Sequence, residues 1–143
     1  MKILLTGING QLGSQLQPPL KKIGDVIAVG RNNLDLADPN AISTLIDQVK
    51  PELIINAAAY TAVDKSEKEP GLSHAINSIA PGIMAKEAKK LGATLIHIST
   101  DYVFDGSQST PYTETDSTNP LGTYGPSKLA GEEAIRETEA NHI

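Results

Sequence analysis

Tyr124 and Lys128 are the residues of this sequence best suited to acid–base chemistry, because they lie four positions apart in Tyr124-Gly-Pro-Ser-Lys128. On a helix, positions i and i+4 share a face, so the Lys128 ammonium is expected to lie beneath the Tyr124 phenol. A nearby cation favours phenolate and would lower the pKa of Tyr124 from about 10 toward neutral pH. Taken alone, the same spacing also describes two ordinary helix-surface residues, so the prediction depends on what accompanies the pair.

Thr100 offers a second hydroxyl for the same chemistry. It follows the apolar run Thr94–Ser99 and precedes Tyr124 by a single loop. Ligands of open α/β sheets bind at the carboxyl ends of strands, where a threonine hydroxyl can donate to a substrate carbonyl while a tyrosine transfers the proton. The alternative is that Thr100 only caps a turn.

Three glycines indicate a phosphate-binding turn. Gly7, Gly10 and Gly13 directly follow the apolar run Ile3–Thr6 and open a helix predicted over Gln11–Ile23. A pyrophosphate can approach the backbone closely only where no Cβ intervenes, and a helix N-terminus adds partial positive charge. The spacing departs from the usual G-x-G-x-x-G, and a tight turn without a ligand is the alternative. The strand–turn–helix setting favours nucleotide binding.

The residues after the second strand bear on which nicotinamide dinucleotide is bound. An acidic residue there binds the ribose 2′-hydroxyl of NADH, whereas an arginine accepts the 2′-phosphate of NADPH. Here Arg31 follows Asp25–Val29 and no acid stands at the tip, which favours NADPH and leaves NADH open. Asp35 and Leu36 follow shortly after, where Asp35 could approach the adenosine or serve as an ordinary loop residue.

These residues need a framework that brings strand ends together. Continuous apolar runs predict strands that are covered on both faces, and apolar–polar periodicity predicts helices between them. The predicted strands are Ile3–Thr6, Asp25–Val29, Glu52–Asn56 and Thr94–Ser99, and the predicted helices are Gln11–Ile23, Asn40–Val49, Leu72–Leu91 and Tyr124–Ala140. This β-α-β-α order predicts an α/β fold with a Rossmann-like, doubly wound parallel sheet.

Several residues carry predictions about helix ends. Asp38 followed by Pro39 predicts a capped helix start, and Gly24 and Gly92 stand where C-terminal caps belong. Pro18-Pro19 predict a kink or an early end of the first helix near Gln17, because proline removes a backbone donor and crowds the preceding turn.

Composition limits the classes of protein further. The chain has 143 residues, 39% of them hydrophobic and 20% charged, which is typical of one globular domain. Its net charge of −5 and lack of a basic cluster argue against nucleic-acid or anionic-membrane partners. No cysteine is present, and the apolar run after Met1 is too short for a signal peptide or membrane span, so we expect a cytoplasmic location.

Several longer motifs resemble the extended short-chain dehydrogenase/reductases, and within them the branch that reduces dTDP-linked 4-keto sugars. The resemblance runs along the whole chain. Its marks are T-G-x-x-G-Q-L-G at Thr6–Gly13, L-D-L at Leu34–Leu36, N-A-A-A-Y-T-A-V-D-K at Asn56–Lys65, S-T-D-Y-V-F-D-G at Ser99–Gly106, Y-x-E-T-D at Tyr112–Asp116 and P-L-x-x-Y-G-x-S-K-L-A-G-E at Pro120–Glu132.

The resemblance implies a role for each matching residue. It implies that Gln11, Leu12 and Gly13 lie against the cofactor pyrophosphate, and that Asp35 and Leu36 lie near the adenosine. It further implies cofactor contacts on the nicotinamide side for Ala59, Tyr60 and Thr61, and contacts with the sugar nucleotide for Thr100 and Asp101. Tyr124 would be the general acid, and Lys128 would bind the nicotinamide ribose while tuning the tyrosine.

Members of this family are about twice as long, so we expect residues 1–143 to be the NAD(P)-binding part of a longer protein and to lack the substrate domain. We therefore expect little reductase activity from these residues alone. Some members form homodimers with Mg²⁺ bound at the interface; those positions lie outside this chain, and no metal site is assigned.

Three functions remain open on sequence. The first is reduction of a dTDP-linked 4-keto sugar with NADPH or NADH. The second is a non-catalytic, NADP-binding regulatory subunit like the β subunit of methionine adenosyltransferase. The third is another nucleotide-sugar reductase or epimerase. Two residues outside the motifs are expected to be structural: His97 as a satisfied core histidine, and Asn77 as a bridge between backbone groups or a helix-surface residue.

Overall fold

A five-stranded parallel sheet forms the centre of the structure, a computed structural model that describes residues 1–143. Its strands are Lys2–Thr6 (β1), Asp25–Val29 (β2), Leu53–Asn56 (β3), Thr94–His97 (β4) and Asn141–His142 (β5). The α-helices are Gln11–Leu20 (α1), Pro39–Val49 (α2), Val63–Ser66 (α3), Pro70–His74 (α4), Ala80–Leu91 (α5) and Tyr124–Glu137 (α6). A π-helical turn, Ala75–Ile79, joins α4 to α5, and a 3₁₀ turn, Asp101–Val103, follows β4. The predicted doubly wound parallel fold is confirmed.

The order of the strands creates a crevice between β1 and β3. The sheet runs β2-β1-β3-β4-β5, so the chain leaves β1 toward one edge and then crosses back to build the other. The loops after β1 and β3 therefore depart in opposite directions from neighbouring strand ends. Such a switch point at the carboxyl ends of the strands is where ligands of doubly wound sheets bind.

Both faces of the sheet are covered, which explains the unbroken apolar runs. On one face, Ile3, Leu5 and Ile55 pack against Leu20 of α1. The opposite face packs against α2, α5 and α6 in a larger cluster; its strand members include Leu4, Ile54 and Leu95, and its helix members include Ile42, Ile46, Met84, Ala88 and Ile135. Alternate residues of each strand thus enter different cores.

Two predicted helix ends are confirmed. The Asp38 carboxylate accepts hydrogen bonds from the backbone N–H groups of Asn40 (2.9 Å) and Ala41 (3.2 Å), and Pro39 occupies the first turn of α2. Gly92 ends α5 in the left-handed region, with φ of +67°. Gly24, in contrast, does not cap α1, because that helix ends earlier. A Cβ at Gly24 would lie 2.4 Å from the carbonyl oxygen of Met1, so this glycine permits a close approach to β1 instead.

Pro18-Pro19 were predicted to kink α1 or to end it near Gln17, and the early end near Gln17 does not occur. The helix continues through Pro18 and Pro19 to Leu20, and the N–H of Lys21 still donates to the carbonyl of Gln17 at 3.2 Å. Both prolines occupy the final turn, where few further hydrogen bonds depend on them. The helix nevertheless stops three residues short of the predicted Ile23.

The predicted helix Leu72–Leu91 is interrupted by the π-helical turn, which contains Asn77. The buried Asn77 side chain accepts from the N–H of Tyr60 (2.8 Å) and donates to the Tyr60 carbonyl (3.1 Å) and to Ser127 Oγ (3.0 Å). Asn77 therefore bridges backbone groups, the first of the two alternatives. Its own carbonyl lies so close to α6 that a Cβ at Gly131 would be 2.1 Å away.

We find no helix with the length and apolar character that a membrane span requires.

Candidate active site

A cleft of about 820 Å³ opens at the crevice between β1 and β3. Its size is within the range of cofactor sites, roughly 300–1,000 Å³. Eight of the predicted cofactor residues line it, namely Gly7, Gly10, Gln11, Arg31, Asp35, Leu36, Ala59 and Thr61. Residues that sequence reasoning did not select also line it, among them Asn9, Asn32, Ala57, Ala58 and Ile76.

The glycine turn leaves the N-terminus of α1 open toward this cleft. Gly7 has φ of +75°, and a Cβ on it would lie 2.6 Å from the Ala57 carbonyl group. A Cβ on Gly13 would lie 2.2 Å from the Gly7 oxygen, so Gly13 serves the packing of helix on turn. A Cβ on Gly10 would meet only the Gly7 oxygen, at 3.3 Å, and no side chain caps the helix. Free N–H groups beside an uncrowded glycine fit a pyrophosphate.

Only one of the three residues predicted to lie against the pyrophosphate lines the cleft. Gln11 lines the cleft, whereas Leu12 and Gly13 do not. Gly13 is buried beneath the turn, because the first helical turn directs its successive residues to different sides.

Arg31 and Asp35 lie on the β2 side of the cleft. Arg31 is exposed and forms no salt bridge within the chain, so its guanidinium is available to an anionic ligand. Asp35 accepts the N–H of Ala37 at 2.9 Å, which stabilises the loop while the residue still lines the cleft. Asp35 therefore acts as a loop residue, and its contact with an adenosine stays a prediction that its position in the cleft allows.

Tyr60 does not line the cleft, unlike its neighbours Ala59 and Thr61. Its side chain is only 7% exposed and its hydroxyl donates to Glu69 Oε2 at 2.6 Å. That hydrogen bond, with burial, raises the pKa of Tyr60. The predicted contact between Tyr60 and a cofactor is not supported, because the buried side chain turns toward α4.

A second cavity, of about 360 Å³, lies at the start of α6. Asp101, Tyr102 and Tyr124 line it, and the rings of Tyr102 and Tyr124 meet edge to face with centroids 5.7 Å apart. Thr100 stands at the edge of this region, where its hydroxyl accepts the N–H of Tyr102 at 3.2 Å. The structure thus brings Thr100, Asp101 and Tyr124 into one neighbourhood.

Asp105 organises the loop that forms the outer wall of the second cavity. Its carboxylate accepts from the N–H of Ser107 (2.9 Å), from Tyr112 Oη (3.0 Å) and from Asn119 Nδ2 (2.9 Å). The hydrogen bonds with Ser107 and Asn119 hold the pKa of Asp105 well below its usual range. Phe104 stacks on Tyr112 with ring centroids 4.3 Å apart. The Asp105 carboxylate therefore connects the beginning of this loop, at Ser107, to its later part, at Asn119.

The predicted lowering of the Tyr124 pKa by Lys128 is wrong for this structure. Burial raises the pKa of Tyr124, and the negative charge of Asp101 adds to the increase. The nearby Thr100 hydroxyl acts in the opposite direction and lowers the pKa of the phenol. The effect of burial on the pKa of Tyr124 is the larger one, because Lys128 Nζ donates to the Ile98 carbonyl and not to the phenol.

Lys128 is 1% exposed and lies between the carboxyl end of β4 and the N-terminal part of α6. Its Nζ donates to the carbonyl of Ile98 at 2.5 Å and lies 3.3 Å from His97 Nε2. Burial lowers the pKa of Lys128 to about 8, against a smaller opposing effect of Glu132. Lys128 lines neither cavity.

A row of polar residues ends three adjacent strands, and we call Thr6, Asn56 and His97 the strand-end row. The parallel register pairs Thr6 with Asn56 and Asn56 with His97. Thr6 Oγ1 donates to Asn56 Oδ1 at 2.7 Å, and Asn56 Nδ2 lies 3.0 Å from His97 Nδ1. The sequence contains a signal for part of this row, since the apolar runs Ile3–Thr6 and Glu52–Asn56 end in polar residues, whereas His97 lies inside the run Thr94–Ser99.

A parallel sheet whose strand order switches between β1 and β3, with a glycine turn after β1 and a tyrosine and a lysine on a later helix, is the arrangement of Rossmann-like nucleotide-binding domains of the short-chain dehydrogenase/reductase class. Comparison with known proteins narrows this class. The model of the family described as "RmlD substrate binding domain" matches residues 1–143, and the chain belongs to that family.

Individual relatives agree with this assignment. A dTDP-4-dehydrorhamnose reductase of Burkholderia thailandensis is 46% identical over 138 residues, which cover 96% of this chain and 46% of the relative. The crystal structure of a dTDP-4-dehydrorhamnose reductase from Clostridium acetobutylicum is 43% identical with a TM-score of 0.95, covering 99% of this chain and 51% of that chain. The Bacillus anthracis dTDP-4-dehydrorhamnose reductase in complex with NADP is 37% identical with a TM-score of 0.93, covering 99% and 50%. The chain thus spans about half the length of these relatives.

Proposed function

We propose that residues 1–143 form the NAD(P)-binding domain of a reductase that converts dTDP-4-dehydro-6-deoxy-L-mannose to dTDP-L-rhamnose. The observation that carries this proposal is the proximity of Thr100 to Tyr124 at the start of α6, where the Thr100 hydroxyl opposes the rise in the pKa of the phenol and Tyr124 lines a cavity with Asp101, the neighbour of Thr100 in the chain. Similarity to proteins named dTDP-4-dehydrorhamnose reductase supports the choice of substrate.

In the proposed reaction, the nicotinamide cofactor supplies a hydride to C4 of the keto sugar. Tyr124 donates its phenolic proton to the oxygen that becomes the alcohol, and Thr100 hydrogen-bonds the same oxygen as negative charge develops. Positioned proton transfer of this kind contributes about 10² to 10⁴-fold to rate. Because the pKa of Tyr124 is raised, the phenol is protonated at neutral pH and is ready to act as an acid.

The cleft between β1 and β3 is proposed to hold the dinucleotide, with its pyrophosphate at the N-terminus of α1. Gly10 and Gln11 would contact the pyrophosphate, while Asp35 and Leu36 would lie near the adenosine. Lys128 is proposed to reach the nicotinamide ribose. Mg²⁺, which the resemblance allows in the whole protein, is assigned to none of residues 1–143.

Arg31 supports NADPH as the preferred cofactor, since it lines the cleft without an internal ion pair. We expect Arg31→Ala to raise the KM for NADPH about ten- to a hundredfold, the value of one charge-assisted hydrogen bond, and to leave the KM for NADH nearly unchanged. Steady-state kinetics with both cofactors measures this. Equal losses for both cofactors would contradict a role in binding the 2′-phosphate, and Lys22→Ala, a change on the exposed surface after α1, is the control.

The proposed activity is tested on the whole protein that contains this chain, assayed with dTDP-4-dehydro-6-deoxy-L-mannose while NADPH and NADH oxidation are followed separately. We expect oxidation with formation of dTDP-L-rhamnose. Cofactor binding without oxidation would support the regulatory-subunit alternative, and turnover of only another nucleotide sugar would support the third. We expect the reaction to occur in the cytoplasm, and gel filtration would show whether the whole protein is a homodimer.

A further inference from the structure

Three buried polar side chains join the first turn of α6 to α4 and to the π-helical turn. They are Ser73, Asn77 and Ser127, which are 0%, 1% and 5% exposed, and we call them the buried polar cluster. Ser127 Oγ accepts from Asn77 Nδ2 at 3.0 Å and lies 3.1 Å from Ser73 Oγ. Because water is largely excluded here, the donors and acceptors of these side chains must satisfy one another.

The backbone of Tyr60 fixes the orientation of the Asn77 amide. The N–H of Tyr60 can only donate, so the amide oxygen of Asn77 must face it, at 2.8 Å. The two N–H bonds of the amide nitrogen then donate to the Tyr60 carbonyl at 3.1 Å and to Ser127 Oγ, with a longer contact of 3.5 Å to Ser73 Oγ. Asn77 therefore holds the Tyr60 backbone and Ser127 at the same time.

Ser127 connects this cluster to the proposed proton donor. Its hydroxyl donates to the carbonyl of Tyr124 at 2.7 Å, so the Ser73 hydroxyl must be the donor in its contact with Ser127. Tyr124 is the first residue of α6, and no side-chain cap holds that end of the helix from within it. The Ser127 hydroxyl thus fixes the backbone of a residue at a helix end.

The opposite end of the cluster reaches the cofactor cleft. Ala59 and Thr61, on either side of Tyr60, line the cleft, and so does Ile76 beside Asn77. The backbone that Asn77 holds is therefore part of the cleft wall. Consecutive hydrogen bonds connect this wall, through Asn77 and Ser127, to the carbonyl of Tyr124.

We propose that Ser127 is a positioning residue for Tyr124, and that with Asn77 and Ser73 it holds the proton donor at a fixed place relative to the cofactor cleft. This inference rests on the proposed function, in which Tyr124 protonates the oxygen of the carbonyl that receives the hydride. Both transfers need reacting atoms about 3–3.5 Å apart, and a misplacement of about 1 Å can cost roughly a hundredfold in rate.

The first test measures the backbone and needs no activity. Amide hydrogen exchange of the whole protein is followed by mass spectrometry in the wild type, Ser127→Ala and Ser78→Ala. Ser78 is the matched control, because it is also 5% exposed, lies in the π-helical turn and forms no side-chain hydrogen bond. We expect Ser127→Ala to speed exchange about tenfold at residues 124–128, the effect of one hydrogen bond, and to leave exchange at residues 59–61 unchanged because Asn77 still holds Tyr60.

Unchanged exchange at the start of α6 in Ser127→Ala, or an equal increase in Ser78→Ala, would overturn the proposal. If Ser127→Ala does not fold, Ser73→Ala decides in its place, because it removes one of the two donors that hold Ser127. We then expect a smaller increase at residues 124–128, and no increase there would count against the proposal in the same way.

The second test asks whether Ser127 acts on the reaction through Tyr124 alone. NADPH oxidation by the whole protein with the dTDP-linked keto sugar is measured for Ser127→Ala, Tyr124→Phe and the double variant. We expect Ser127→Ala to lower kcat about tenfold without changing the dissociation constant of NADPH, and to have no further effect once Tyr124 is replaced. An equal loss of kcat in both backgrounds would overturn the proposal, since general structural damage acts whichever residue occupies position 124.

The two tests distinguish a failure of this inference from a failure of the proposed function. Absence of NADPH oxidation by the wild type, or full kcat in Tyr124→Phe, would refute the proposed function and with it the effect of Ser127 on catalysis. The exchange measurements would still decide whether Ser127 holds the backbone of Tyr124.

Discussion

Tyr124 retains its proton more firmly here than it would in water, because burial raises its pKa and Asp101 opposes loss of the proton. A protonated phenol is the form needed to reduce a ketone, since the reaction consumes a proton at the carbonyl oxygen. We expect Tyr124→Phe to lower kcat about 10² to 10⁴-fold with little change in NADPH affinity. Single-turnover kinetics and fluorescence titration with NADPH measure the two effects.

The matched control is Tyr102→Phe, which removes the hydroxyl of the ring that contacts Tyr124 and keeps the aromatic contact. The Tyr102 side chain is 51% exposed, so we expect Tyr102→Phe to change kcat only slightly. Equal losses in both variants would argue against a specific proton donor at Tyr124.

Lys128 makes stability depend on pH in a defined direction. Burial lowers the pKa of Lys128 to about 8 in the folded state, below the value of about 10.4 expected for the unfolded chain. Between these values the unfolded state binds the proton and the folded state does not, so stability rises with pH. Below about pH 8 both states bind it, and the cost of the buried charge is fully present.

We therefore expect the unfolding free energy of the wild type, relative to Lys128→Met, to increase by about 1.4 kcal/mol per pH unit between pH 8 and pH 10. Urea unfolding of both proteins across this range measures the difference. Lys86→Met, on the exposed face of α5, is the control and should show no such slope. A flat difference for Lys128→Met would mean that the lysine is solvated in solution.

At the scale of elements, α6 depends on a carboxylate from a distant segment. The helix begins at Tyr124, and no side chain from its own N-terminus caps it. Glu67 instead accepts from the N–H of Thr123 (2.7 Å) and from Thr123 Oγ1 (2.9 Å). Gly122, with φ of +66°, makes room for the Glu67 carboxylate, since a Cβ there would lie 2.8 Å from Oε1. A negative charge at this end also suits the helix dipole.

We expect Glu67→Ala to cost about 1 kcal/mol of stability, as for loss of a helix cap, and to lower kcat because the first residue of the loosened turn is Tyr124. Urea unfolding and steady-state kinetics measure these effects. Glu114→Ala, in the exposed loop 105–120, removes a carboxylate that makes no hydrogen bond or ion pair and should change neither. Wild-type stability in Glu67→Ala would show that the carboxylate does not cap α6 in solution.

At the scale of the molecule, the second cavity is shallow and partly apolar, and Leu121 at its margin is 66% exposed. The chain spans about half the length of its relatives, so groups that hold the remote parts of a substrate are expected outside residues 1–143. Lost binding energy lowers turnover as well as affinity, because remote contacts help to orient the reacting groups.

We accordingly expect residues 1–143 alone to bind NADPH and to show little or no reduction of the dTDP-linked keto sugar, while the whole protein is active. Fluorescence titration and a cofactor-oxidation assay on both proteins make the comparison. Turnover by residues 1–143 equal to that of the whole protein would refute the expectation that the remaining chain completes the substrate site.

Much of the fold was predictable because its signals are local. Apolar runs located four of the strands to within two residues, and Asp38-Pro39 and Gly92 marked helix ends through interactions a few residues away. The glycine turn was predictable for the same reason, since a strand, a turn and a helix start are consecutive in the chain. The prediction made from Pro18-Pro19 was wrong about the end of α1, because local propensity does not say in which turn of a helix the prolines lie.

What the sequence by itself determined about this protein is the set of elements and the residues where chemistry was expected, Thr100, Tyr124 and Lys128. Tertiary structure alone decided their partners. Thr6 and Asn56 are 50 positions apart, and only the strand register makes them neighbours. The i, i+4 spacing placed Lys128 near Tyr124, but burial and the Ile98 carbonyl determined where its charge acts. Spacing along a helix is set by the chain, whereas desolvation and hydrogen-bond direction depend on atoms brought together from separate elements.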